Sequence, residues 1–253
     1  MISNKFSFNS HRFNLWEIYE SIKNYYPIGV PRGENGRGIF FEYAGVKKLE
    51  KLVMDNVHDE KNFNSRWTSY MHELEKKLNK EIIGTTYGQA PSFSSSVIVE
   101  RNVMGNCSHL KELHFSLSLV GNFFSIYGLD STRILDEKDS SSGYRAANVI
   151  TGSPYKEFKK DFLILENSIR ERFPNHKMVP FAFGQQIIDG LRVRYSDAEV
   201  CSVHMAIFND FVQPKNNLRF TQGYVVDHTR GDIYYGFVTF QVKIGILGQS
   251  LMK

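Results

Sequence analysis

The chain has 253 residues, 42% hydrophobic and 23% charged, enough apolar material for a sizeable core and nothing of a disordered composition. Its formal net charge is only +4, and acids interleave with the bases at 49–61 and 72–81, as on solvated helix faces; Arg192, Arg194 and Lys177 make one loose basic cluster, so nucleic acid is not expected as a partner. No run approaches the ~20 apolar residues of a membrane helix, and the first sixteen residues carry Lys5 and Arg12 with no apolar run between them, so neither an anchor nor a signal peptide is expected.

The elements read in chain order. Asn14 predicts a helix N-cap, with Glu17 completing a capping-box pair and Leu15, Ile18, Tyr19 and Ile22 as the apolar stripe; Pro27 lies past its end. A turn-rich loop follows over 27–38. A short strand is expected at 39–43 and a short helix at 46–54. Residues 65–80 read as a stronger helix that buries Trp67, Tyr70, Met71, Leu74 and Leu78 and exposes Glu73, Lys76 and Lys77. Alternation over 93–99 predicts a strand.

The segment 113–128 reads as a β-hairpin. Leu113, Phe115, Leu117 and Leu119 alternate with His114, Ser116 and Ser118, and Gly121-Asn122 offers a two-residue type II′ turn. Pairing outward from that turn sets Leu119 opposite Phe124, Leu117 opposite Ile126 and Ser116 opposite Tyr127. One face is then apolar and the other polar, which predicts helices on one side and water on the other.

Residues 136–144 are the most loop-like stretch and the only internal boundary on offer. A helix is expected over 154–172, with Pro154 at its first position and Phe158, Phe162, Leu165 and Ile169 inward. Ser196 and Glu199 form a second capping box before Val200, Val203, Ile207 and Phe211, although 198–211 also fits a strand. The chain closes on β structure, with Tyr224–Val226 pairing back across a turn at 227–232 and alternation over 237–244. Strands and helices come in blocks, so the expected class is α+β: one domain over 1–253, an antiparallel meander around the hairpin plus C-terminal strands, packed against several helices.

Motifs for chemistry are sparse. Gly33, Gly36 and Gly38 lack the Lys-Ser/Thr of a phosphate loop and lead into no long helix, which makes them a surface turn. His72-Glu73 is followed by Lys76 where a zinc helix needs histidine. Cys107 with His109, and Cys201 with His204, offer two ligands each and no second pair nearby, so no metal or other cofactor is expected. Two distant cysteines predict reduced thiols and a cytoplasmic protein. No serine sits on a nucleophile elbow. The catalytic candidates are Asp227, His228 and Arg230, clustered with Asp232 in one turn, together with His204. The binding candidates are His114, Ser116, Ser118, Ser125 and Tyr127, the polar side of the hairpin.

The expectation is a non-catalytic cytoplasmic interaction protein whose partner is another protein, of the bacterial toxin-immunity or accessory type. The alternative is a hydrolase of phosphorylated or nucleotide substrates whose site assembles only in the fold.

Overall fold

The computed structural model describes residues 15–33, 36–135, 143–152 and 158–211, with three short strands beyond them. It begins with α1 (Leu15–Tyr25), α2 (Ile39–Glu42) and α3 (Ala44–Val53). Wide π turns at Met54–His58 and Asn64–Thr68 flank α4 (Glu60–Phe63) and lead into α5 (Ser69–Leu78). Then come β1 (Ile82–Gly84), β2 (Ser92–Met104), β3 (Cys107–Ser118), β4 (Phe123–Leu135) and β5 (Gly143–Thr151). After α6 (Lys159–Arg172) follow β6 (Lys177–Met178), α7 (Phe181–Gly184) and α8 (Val203–Ile207). The chain finishes with β7 (Tyr224–Val226), β8 (Gly236–Phe237) and β9 (Gln241–Val242).

The strands form one sheet in the order β1-β2-β3-β4-β5-β7-β8, with β6 beside β4 and β9 beside β5. The class is α+β, as expected, and β1 to β5 are an antiparallel meander. The sheet is mixed rather than purely antiparallel, because β6 joins β4 and β7 joins β5 in parallel. Among the described residues, no helix is long and apolar enough to cross a membrane.

Helices cover the sheet on both sides. On the apolar side the π turn at Asn64–Thr68, α5 and α6 bury Trp67, Tyr70, Leu74, Phe162, Leu165 and Ile169 against Phe93, Leu113, Phe115, Phe124 and Ile126. The helical spacing of these residues made both helices legible, and Phe158 is buried with them. On the other side α1, α3 and α8 build a second core from Ile18, Ile22, Val46, Leu49, Val203 and Ile207. The polar side of the hairpin, expected to face water, therefore lies inside the protein.

Three local expectations are corrected. Residues 39–42 form helix α2, not a strand. Gly38, at φ 117, reverses the chain there, and one helical turn buries Phe40 while leaving Ile39 exposed. The hairpin exists, but its register is shifted by two residues: Leu117 pairs with Phe124, Phe115 with Ile126 and His114 with Tyr127. A shift of two preserves both faces. It arises because the loop bonds elsewhere, with Leu119 N–H donating to Pro91 O at 2.8 Å and Lys177 N–H donating to Asn122 O at 2.9 Å. Finally, α8 is capped by Ser202, whose hydroxyl accepts from Met205 N–H at 3.3 Å, not by Ser196, which accepts from Ala198 N–H inside a turn.

Candidate functional site

The described residues bring one catalytic candidate and all the binding candidates into the same place. Strand pairing lays a polar grid on the side of the sheet under α7 and α8: Ser92 beside Ser118, Ser94 beside Ser116 and Ser125, and Ser96 beside His114 and Tyr127. His114 and Tyr127 stack with ring centroids 5.2 Å apart and planes 10° from parallel. Phe181 at the start of α7 packs on Tyr127 at 5.0 Å, and His204 of α8 meets the same ring edge-on at 6.0 Å. Phe208 and Phe211 close the layer against His204 and His114.

Hydrogen bonds tie this lid to the grid. Asn209 Nδ2 donates to Ser116 Oγ at 3.1 Å, and Ser92 Oγ donates to the carbonyl of Phe208 at 2.9 Å. Tyr26 and Tyr195 donate to the carbonyls of Ala206 and Met205 at 3.0 and 2.6 Å, which fixes the far side of α8. Glu112, a buried carboxylate, accepts from Ser96 Oγ at 3.3 Å and lies 3.8 Å from His114 Nε2.

Electrostatically the layer is built for neutral groups. Burial holds the His204 imidazole down at about pKa 4, with Asn209 pulling weakly the other way. Among the described residues, neither ring nitrogen of His204 has a partner at hydrogen-bond geometry, nor do the Ser125 hydroxyl and the Gln185 amide. A Cβ on Gly184 would sit 3.3 Å from His204 Cβ and Nδ1, so glycine there lets α7 and α8 approach. This arrangement packs and orients; it offers no reachable acid or base to an external substrate. The contributions of Glu112, Asn209, Phe181 and Phe208 were missed from sequence. The one available signal was the serine run at 94–96, whose alternate members share the grid.

The remaining candidates are placed apart. Asp227, His228, Arg230 and Asp232 lie outside the described residues. Cys107 and His109 alternate on β3, where His109 Nε2 is 2.6 Å from Asp130 Oδ1. Cys201 is buried and donates to Ala198 O at 3.5 Å, and burial raises its thiol pKa. Both cysteines are free. Arg194 and Lys177 line two different surface depressions, and Arg192 donates to the carbonyl of its neighbour Leu191, so the loose basic cluster does not converge.

Beyond the helices, β2, β3 and β4 run on as an arm. Its tip is a two-residue turn, Gly105-Asn106, between paired Met104 and Cys107; Gly105 has φ 59, the sign a type II′ turn needs first. Val103, Met104 and Ile134 are 64%, 75% and 42% exposed there. Because β1 pairs only with residues 95–97, the outer edge of β2 from Glu100 to Met104 has no strand neighbour among the described residues. Charge pairs brace the arm: Lys111 Nζ to Glu100 at 2.9 Å and Arg101 to Glu81 at 3.1 Å. The lysine holds the Glu100 carboxyl below its usual pKa.

No protein-family model, no curated protein and no solved structure matches this chain.

Proposed function

We propose that this protein acts by binding another protein, as a non-catalytic cytoplasmic interaction protein of the toxin-immunity or accessory kind. The observation that carries the reading is the arm. It combines a strand edge that has no strand neighbour among the described residues with exposed Val103, Met104 and Ile134. An open edge supplies main-chain donors and acceptors to a partner strand, and flanking apolar side chains supply the buried area. His114, Ser116, Ser118, Ser125 and Tyr127 are interior, so the contact surface moves from that set to the arm. The burial and neutrality of His204 further favour binding over acid–base catalysis.

The test is purification of the tagged protein from its source cells, alongside a turnover screen on phosphoesters and nucleotides. The expected result is a stoichiometric protein partner and no turnover. The partner is lost when Val103→Asp and Met104→Arg are combined, and kept in Asp227→Ala, His228→Ala and Arg230→Ala. Turnover that disappears in His228→Ala, with folding unchanged, overturns the reading in favour of the hydrolase.

A further inference from the structure

A charged cleft of about 370 Å³ opens between the turn at Gly36, helices α2 and α3, and the Arg194 segment. Its walls include Arg32, Phe41, Lys47, Glu50 and Arg194. The cations and the carboxylates around it are held very differently. Arg32 is anchored: its Nε and Nη2 donate to the carbonyl of Arg194 at 3.2 and 2.8 Å, and its guanidinium lies 5.3 Å from the Phe41 ring centroid. Arg32 and Arg194 side chains are only 20% and 22% exposed. Their acidic partners stand in solvent. Asp197, which pairs with Arg32, is 91% exposed, Glu42, which pairs with Lys47, is 74% exposed, and Glu50, which pairs with Arg194, is 52% exposed.

Formal charge balances in the cleft, but hydrogen-bonding capacity does not. A guanidinium has five N–H donors and an ammonium three. Among the described residues, Arg194 engages a single donor, toward Glu50 Oε1 at 2.6 Å, and Lys47 a single one, toward Glu42 Oε2 at 2.5 Å. The cleft therefore holds a surplus of donors, on two half-buried arginines and on the 56% exposed Lys47, facing exposed carboxylates. Exposed ion pairs are easily exchanged, and a phosphate group brings more charge and more acceptor oxygens than one carboxylate.

We propose that this cleft binds a small phosphorylated ligand, with Arg194, Arg32 and Lys47 as its donors and Glu50, Glu42 and Asp197 as displaceable occupants. This goes beyond the protein-binding reading and does not depend on it, since the arm contributes no residue here. It also gives the glycine turn at 33–38 a place beside a ligand through Gly36, without any phosphate-loop motif.

The test is calorimetric titration with inorganic phosphate and pyrophosphate, using acetate at matched ionic strength as the control. Binding of both phosphates is expected, pyrophosphate tighter, with acetate silent. Arg194→Gln is expected to weaken binding by about tenfold or more, a lost charge-assisted contact. Glu50→Gln, an exposed change that leaves the fold intact, is expected to tighten binding several-fold because it removes the resident competitor. Unchanged affinity in Arg194→Gln, weaker binding in Glu50→Gln, or an acetate response equal to that of phosphate would each overturn the proposal. So would no phosphate binding in either the wild type or Glu50→Gln.

Discussion

The two sides of the sheet are both buried, yet they are held by different physics. Under α5 and α6 the contact is aromatic and aliphatic: Trp67 stacks on Phe93 at 5.3 Å with planes 14° apart, and Phe162 is fully enclosed. Under α7 and α8 the contact is a layer of serines, histidines and Tyr127, tied by Asn209 to Ser116 and by Ser92 to Phe208. The first side stabilises chiefly through buried area. The second depends on the hydrogen bonds that its buried polar atoms do make and on His204 staying neutral. A strand pattern that alternates apolar with small polar residues does not mean one dry face and one wet one; it also serves a sheet between two unlike helical layers.

Four measurements break or sharpen this contrast. The largest effect is expected on the apolar side, where Phe162→Ala removes a ring with no exposed surface. Transfer and cavity terms together predict a loss of about 3–5 kcal/mol, read as a large drop in the urea midpoint. A midpoint unchanged within error would show that α6 does not pack there.

The next effect belongs to the polar side alone. His204 is held near pKa 4 in the fold against 6.5 for the ordinary side chain. As pH falls below 6.5 the unfolded chain takes the proton first. The stabilisation is therefore complete above 6.5 and lost progressively toward pH 4, by roughly 3 kcal/mol. Unfolding free energies between pH 7 and 4 for the wild type and His204→Phe should diverge by that slope. Parallel curves would mean that His204 is charged or solvated in the native protein.

Smaller still, and unequal, are the effects of two serines one strand apart. Ser116→Ala leaves the buried Asn209 amide without the acceptor it has at 3.1 Å, which is expected to cost about 1–2 kcal/mol. Ser125 sits beside Ser116 in the same grid, but its hydroxyl is buried with no hydrogen-bond partner among the described residues. Ser125→Ala is expected to be neutral or to stabilise by up to about 1 kcal/mol. The thermal melt of Ser116→Ala should fall, while that of Ser125→Ala should hold or rise. Equal losses would show that Ser125 has a polar partner as well.

What could be read from the chain alone followed local periodicity. The helical spacing of Trp67, Tyr70, Leu74 and Leu78, and that of Phe158, Phe162, Leu165 and Ile169, identified the helices that cover the apolar side. Period-two alternation identified the 113–118 half of β3 and the face of the sheet on which each of those residues lies. Loop register was not legible, and the dipeptide Gly-Asn shows why. At 105–106 it is a two-residue turn, closed by the paired residues Met104 and Cys107 with Gly105 at positive φ. At 121–122 the same dipeptide lies in a four-residue loop between Ser118 and Phe123, because Pro91 and Lys177 compete for its backbone. The candidate site was legible only as a set of residue types. That His114 and Tyr127 share a face follows from strand parity, a local property. That His204, Asn209 and Phe181 close over that face depends on contacts across about 50–95 residues of chain, which no local pattern encodes. Sequence therefore determined the helices that cover the apolar side, the hairpin strands and the two chemistries of the sheet, because backbone geometry imposes their periods. Only the tertiary structure decided that the polar chemistry would be sealed inside, because burial depends on which distant segment arrives to cover it.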